Sequence, residues 1–381
     1  MPTEGFIVRG RDKLCLDIVY KVYSGQLTRD EGKALLNISS STLKRYLRDF
    51  RKEGIGFILH GNRGRAPKNQ ISPDLKKDVQ GLVRERYFDF NLLHLQEKLG
   101  EHQITVKRET LRKWCHEIKM VKRSKRRRSR PHYRRKRMSQ AGLMVMMDGS
   151  HHRWFAEVEC CLVVALDDAT SEILFAEFSY EETTVACLKV LRRVVEKHGS
   201  FKVLYTDRAG VFGGVKRSGF SQVERALGEL GTEVIYAQSP EAKGRIERLF
   251  QTLQDRLVAE MRLKGIKNMA EANRFLQEEY IPHAHNPRFS VEAHNPKSAF
   301  VKLHAGVDLG SIFCVKEYRV VARDHTISFG ADRYLIADRL KYSIHKQRIE
   351  LRIEEGGKWQ AFFAGKPINL AKINIVKLLA A

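Results

Sequence analysis

Apolar positions along the chain change their period from one stretch to the next. From Asp12 to Gly54 they recur three and four residues apart, which predicts three short helices. "DKLCLDIVYKVYSG" sets Leu14, Ile18, Val19 and Val22 on one face, with Gly25 just past its end. "TRDEGKALLN" opens on Thr28 with Glu31 three residues on, the pattern of a capping box. After a tight turn at "NIS", "SSTLKRYLRDFRKEG" turns Leu43, Leu47 and Phe50 inward and Ser40, Ser41, Lys44, Arg45 and Arg48 outward. A second helical stretch runs from "SPDLKKDVQGLVRERY", with a Ser cap and Pro73 in the first turn, through "NLLHLQEKLGEH" to "TVKRETLRKWCHEIKM". From about Met138 the pattern is different. "GLMVMMDGS" and "ECCLVVALDDATSEILFAEFS" predict three successive strands. Helix, strand, helix, strand and a long helix follow. The long helix, "PEAKGRIERLFQTLQDRLVAEMRLKG", carries the stripe Leu249, Phe250, Leu253, Leu257, Val258 and Met261, and another helix is expected near 270–280. That order predicts an α/β sheet of mixed direction. Past residue 309, short alternating runs with Gly turns predict a small antiparallel β-barrel.

The expected organisation is multidomain. An all-α helix-turn-helix unit spans 1–59, a linker 60–71 and a second helix-turn-helix-like unit 72–118. A basic linker spans 119–138, an α/β core 139–305 and a C-terminal barrel 309–381.

Charge sharpens the picture. There are 69 Lys and Arg against 45 Asp and Glu, a net charge of +24. Such a field attracts polyanions, nucleic acid first among them, although a basic protein need have no particular partner. The third predicted helix has short polar groups and bases at its start, Ser40, Ser41, Lys44, Arg45 and Arg48, as a helix in the major groove requires. A plain three-helix bundle with a solvated basic face would show the same residues. In "HGNRGRAPKN", Arg63 and Arg65 flank a Gly, a pattern that can lie in a narrow minor groove or simply be a solvated linker. "KRETLRKW" offers Lys107, Arg108 and Arg112 as a second reader, or as part of a bundle supporting the first. Residues 119–137 hold twelve Lys or Arg, among them Lys125, Arg126, Arg127 and Arg128, and no acid. That segment is expected to be extended when free and to track DNA phosphates with salt-sensitive affinity. The six Cys are scattered without a C-x-x-C, the N-terminus has no signal-peptide core, and no apolar run reaches membrane length. A soluble cytoplasmic protein is expected.

Three acids carry the candidate chemistry. Asp207 ends the apolar run "FKVLYTD", Asp148 ends "GLMVMMD", and Glu247 falls in the first turns of the long helix. Asp at the end of a strand also starts turns, so Asp207 alone proves little. In an α/β sheet, however, strand ends and helix starts converge on one edge. Clustered carboxylates repel unless a cation offsets them, and hard divalent ions prefer oxygen. Three acids suit two shared ions, which can act on a phosphodiester. Lys243 and Arg245, within a turn of Glu247, could hold phosphates or be a solvated first turn. Asp167 and Asp168 are expected in an Asx-type turn, His151 and His152 in a surface turn, and His283 and His285 in a loop. Trp154 and Phe155 are expected to pack beside the site.

"MVMMDGSHHRWF", "VLYTDRAGVFG" and "QSPEAKGRIERLFQTLQDRL" resemble the three motifs of the DDE transposase/retroviral integrase superfamily, in particular bacterial insertion-sequence transposases with an integrase-type core. The N-terminal helices, the following linker and the C-terminal barrel are similar to parts of those enzymes, so the resemblance covers nearly the whole chain. It implies an RNase H-like core with Asp148, Asp207 and Glu247 as catalytic and metal-binding residues. It implies two Mg²⁺ ions, replaceable by Mn²⁺. It also implies cleavage at the terminal inverted repeats of an element and joining to double-stranded target DNA by a dimer or larger homo-oligomer. Asp207 and Glu247 are forty positions apart, slightly more than is usual in the family, and "GVFGGVKRSG" can take up the excess. The His/Cys zinc domain of retroviral integrases is absent. A catalytically inactive DNA-binding relative and an RNase H-like nuclease that only hydrolyses are the other readings.

Overall fold

The structure is a computed structural model that describes residues 10–58, 71–120, 135–155, 158–207, 221–237 and 244–373. It divides into two compact units, Met1–Lys77 and Asp78–Ala381. In the first, helices α1 (Gly10–Tyr23), α2 (Arg29–Leu36) and α3 (Ser40–Glu53) form where their periodicity predicts them. The Thr28–Glu31 capping box starts α2, and Asn37, in the left-handed region at φ 49°, ends it. Ser39 caps α3 by accepting from the Thr42 amide. Val19, Leu43 and Leu47 form the small core. Leu14, assigned to the same stripe by its spacing, is instead exposed.

Helix α4 (Pro73–Glu85) spans the boundary, and α5 (Leu92–Glu101) and α6 (Arg108–Glu117) follow in the second unit. Val79, Val83, Leu95, Leu99, Leu111 and Trp114 are buried among them. A five-stranded sheet follows, in the order β3 (Ile173–Ser179), β2 (Val158–Asp167), β1 (Met144–Phe155), β4 (Val203–Thr206), β5 (Glu233–Tyr236). β1, β2 and β3 are antiparallel neighbours; β4 runs parallel to β1 and β5 parallel to β4. Alternation divides the sheet into two faces. Val145, Met147 and Val163 pack against α7 (Thr184–His198) and α8 (Gln222–Gly228). Met146, Leu162 and Val164 pack against α9 (Gly244–Leu263) and the helical run behind it.

Two local expectations change. β1 does not stop at Asp148: it continues to Phe155, pairing His151 with Cys161 and His152 with Cys160, so neither His is in a turn. Past Met146 the described pairing of β1 is with β2, and its polar "GSHHR" lacks the apolar alternation that marks a strand. Trp154 and Phe155 are buried, as expected. The second concerns His283 and His285. After α10 (Met269–Arg274) the chain winds as a π-helix over Phe275–His285, which takes in Pro282, the residue that reads as a breaker. Burial, then Arg256, lowers the His285 pKa to about 4.

The C-terminal strands fall into a four-stranded sheet, β11 (Lys366–Ile368), β10 (Trp359–Phe363), β9 (Arg348–Ile353), β6 (Val315–Val320), and a three-stranded one, β12 (Leu370–Ile373), β8 (Asp332–Ile336), β7 (Thr326–Phe329). Both sheets contribute to one core around Ile327, Ile349 and Leu351.

Candidate active site

The pairing of β1 with β4 sets the levels of the two aspartates. Met144 pairs with Val203, Val145 with Leu204 and Met146 with Tyr205. Two residues beyond that last pair are Asp148, still within β1, and Asp207, one residue past the end of β4. By alternation Asp148 falls on the face of Met146, which belongs to the core under α9. Both aspartates are half-buried. The Cys187 thiol of α7 registers them: burial raises its pKa most, then Glu182, Cys161, Asp148 and Asp207.

Glu247 lies in the first turn of α9 and is exposed. Two contacts locate that turn. Arg245 is ion-paired with Asp168, whose amide bonds the Met144 carbonyl at 3.0 Å. Further along, Gln254 Nε2 donates to Ser150 Oγ at 3.2 Å. Thus α9 runs along β1, and both Glu247 and Asp148 lie between those anchors. Ile246, next to Glu247, is fully buried in the same core.

Asp168 is more than a turn residue. It is fully buried and takes the guanidinium groups of Arg135 and Arg245 together with the Met138 amide at 2.9 Å. Asp167 behaves as expected: its Oδ1 accepts from the amides of Ala169 at 3.0 Å and Thr170 at 2.9 Å. Arg135 also lies over the Tyr205 ring at 5.6 Å, two residues before Asp207. The described end of the basic linker is therefore fastened beside β4. Arg245, expected to face phosphate, has its guanidinium committed to Asp168 and the Arg135 carbonyl.

No family model matches the chain. A putative transposase of Sinorhizobium fredii, y4bF, is 33% identical over 337 residues, spanning 86% of this chain and 73% of that protein. The chain belongs to the transposase family. That is the family its three motifs resemble. The transposase for insertion sequence IS1202 of Streptococcus pneumoniae is 29% identical over 301 residues, 68% of this chain and 64% of that protein. Among solved structures, one chain of a simian T-cell lymphotropic virus intasome bound to PP2A regulatory subunit B56 gamma shares 13% identity. It covers 78% of this chain and 99% of its own, with a TM-score of 0.35. The HTLV-2 integrase catalytic core with magnesium shares 12% identity over 35% of this chain and 82% of its own, with a TM-score of 0.29. Overlap that loose bears on nothing further.

In this transposase Ser40, Ser41, Lys44, Arg45 and Arg48 are all exposed on α3. Arg48 reaches Asp49 at 3.0 Å and Ser41 shares a hydrogen bond with Ser39 at 2.9 Å. Lys107, Arg108 and Arg112 are exposed at the start of α6, Arg112 paired with Glu109 at 2.6 Å. Arg63, Arg65, Lys125, Arg126, Arg127, Arg128 and Lys243 lie outside the described residues. The helices of 78–118 do not stand apart from the α/β core. Glu97 of α5 bonds Arg256 of α9 and Arg288, each at 2.7 Å, and Glu260 of α9 bonds His94 at 2.7 Å and Lys98 at 3.0 Å. Asp89 bonds Arg262 at 2.6 Å. On the α7 face, His151, Cys161 and Glu182 form a possible metal-binding group that a reading of 151 as a turn could not reveal. Its signal is the β1–β2 register, which opposes His151 to Cys161.

Proposed function

We propose that this transposase is a DDE-type enzyme with an RNase H-like core. It binds the terminal inverted repeats of a mobile element, cleaves at the ends and joins the 3′-hydroxyls to target DNA. The observation that supports this reading is the register of β1 and β4: the stretches that carry Asp148 and Asp207 are neighbours in the sheet, and Glu247 lies in the first turn of α9, the helix packed on the Met146 face. The donors are all carboxylate oxygens, which fits Mg²⁺ or Mn²⁺ and not a soft ion.

Asp148, Asp207 and Glu247 would together hold the two ions. When bound, the ions activate the attacking water or hydroxyl and steady the leaving oxygen. The protein contributes alignment. β1 and β4 fix the aspartates, and the Arg245–Asp168 pair fixes the turn that presents Glu247. The net charge of +24 draws in DNA, with α3, α6 and the basic linker as its contacts. Handling two ends at once calls for a dimer or larger assembly.

The test uses the native flanking DNA of the gene on a plasmid, purified protein with and without Mg²⁺, and Asp207→Asn beside the wild type. Broken and joined strands are mapped at nucleotide resolution. Metal-dependent cuts at the flanks with joined products, lost in Asp207→Asn, are expected. Cuts without joining would make it a nuclease. Binding without cuts, equal in both proteins, would make it a DNA-binding factor.

A further inference from the structure

His151, Cys161 and Glu182 bring an imidazole, a thiol and a carboxylate together, with ligand atoms all within 4.8 Å of one another. Two of them are locked in register: His151 on β1 lies directly opposite Cys161 on β2, so both project from the same face of the sheet. Glu182 arrives from the segment before α7, next to the Thr183 cap. The backbone is shaped to receive it. A Cβ at Gly149 would come within 2.7 Å of Glu182 Cδ and 2.9 Å of both Glu182 Oε2 and Cys161 Sγ. The missing side chain at 149 is what lets the carboxylate lie across the strand against the thiol. Cys161 is buried, Glu182 half-buried and His151 exposed, so the group is closed on the sheet side and open to solvent on the other.

This donor set differs in kind from the three acids on the α9 face. Sulfur and imidazole nitrogen favour a borderline-soft ion, whereas Mg²⁺ takes oxygen. We propose that His151, Cys161 and Glu182 form a zinc-class metal site, with one coordination position left to solvent, that fastens the outer half of β1 to the start of α7. On binding, the Cys161 S–H bond is replaced by a metal–sulfur bond and the proton leaves to solvent. The proposal does not rest on the reading of Asp148, Asp207 and Glu247.

Co²⁺ reports such a site, because a thiolate ligand gives it a charge-transfer band. The full chain is titrated with Co²⁺ in excess Mg²⁺, then with Zn²⁺. A band saturating at one equivalent and displaced by Zn²⁺ is expected. It should vanish in Cys161→Ser, persist in Cys160→Ser, and need about tenfold more metal or beyond in His151→Ala. His151 is exposed, so His151→Ala leaves the fold intact. No band in the wild type, a band that survives Cys161→Ser, or unchanged affinity in His151→Ala would each overturn the site. Asp207→Asn should bind Co²⁺ as the wild type does, which separates this outcome from that of the cleavage assay.

Discussion

Asp168 is a carboxylate with no exposed surface, and its charge is tolerated because two guanidinium groups and a backbone amide meet it. Replacing it with Ala would leave both Arg groups beside a cavity. Their side chains are 34% and 21% exposed, so water recovers part of the loss. The expected cost is about 2–3 kcal/mol, below that of stranding a fully buried charge, and thermal unfolding of Asp168→Ala measures it. Nothing local distinguishes Asp168 from Asp167. "LDDATSE" announces a turn, and Asp167 obeys it through bonds two and three residues away. The guanidinium partners of Asp168 are 33 and 77 residues distant, and no period or cap connects them in the sequence. The position of Asp207 just past β4 was legible for the opposite reason: the apolar run before it sets the strand. Asp148 was legible only in part, since the same rule wrongly ended β1 there.

Helix α5 was legible as an amphipathic helix, but which of its polar residues face protein was not. His94 is buried and Glu97 is shared by Arg256 and Arg288. Burial raises the carboxyl pKa of Glu97 and Glu260, yet the groups that meet them outweigh it: Arg256 and Arg288 for one, hydrogen bonds from His94 and Lys98 for the other. Both end below the ordinary value of 4.5. The sign follows by linkage. A depressed carboxyl pKa contributes stability that is present above 4.5 and is lost as pH falls through the lower folded value. Hydrogen exchange followed down this range should show α5 amides losing protection before those of β1 and β2. Equal loss in both would remove the ion pairs from any role in docking.

At the scale of the molecule, the surplus of +24 includes twelve bases between 119 and 137. Binding to duplex DNA should weaken with salt along a straight log–log line. Replacing Lys125, Arg126, Arg127 and Arg128 with Ser should flatten it by about 0.9 for each phosphate that those side chains neutralise, as fluorescence anisotropy would report. An unchanged slope would assign those residues to solvent. The sequence delivered this charge and the two kinds of helix and sheet, but not how the parts of the second unit are joined. There, α9 holds Glu247 in its first turn and Arg256, Glu260 and Arg262 in its later ones, each engaged by the helices of 78–118. The helices of 78–118 are accordingly not a detachable cassette. A graft that imports 78–118 from another transposase without matching residues 256, 260 and 262 would set foreign side chains against three committed charges. A compatible exchange has to take those three positions of α9 along with the helices.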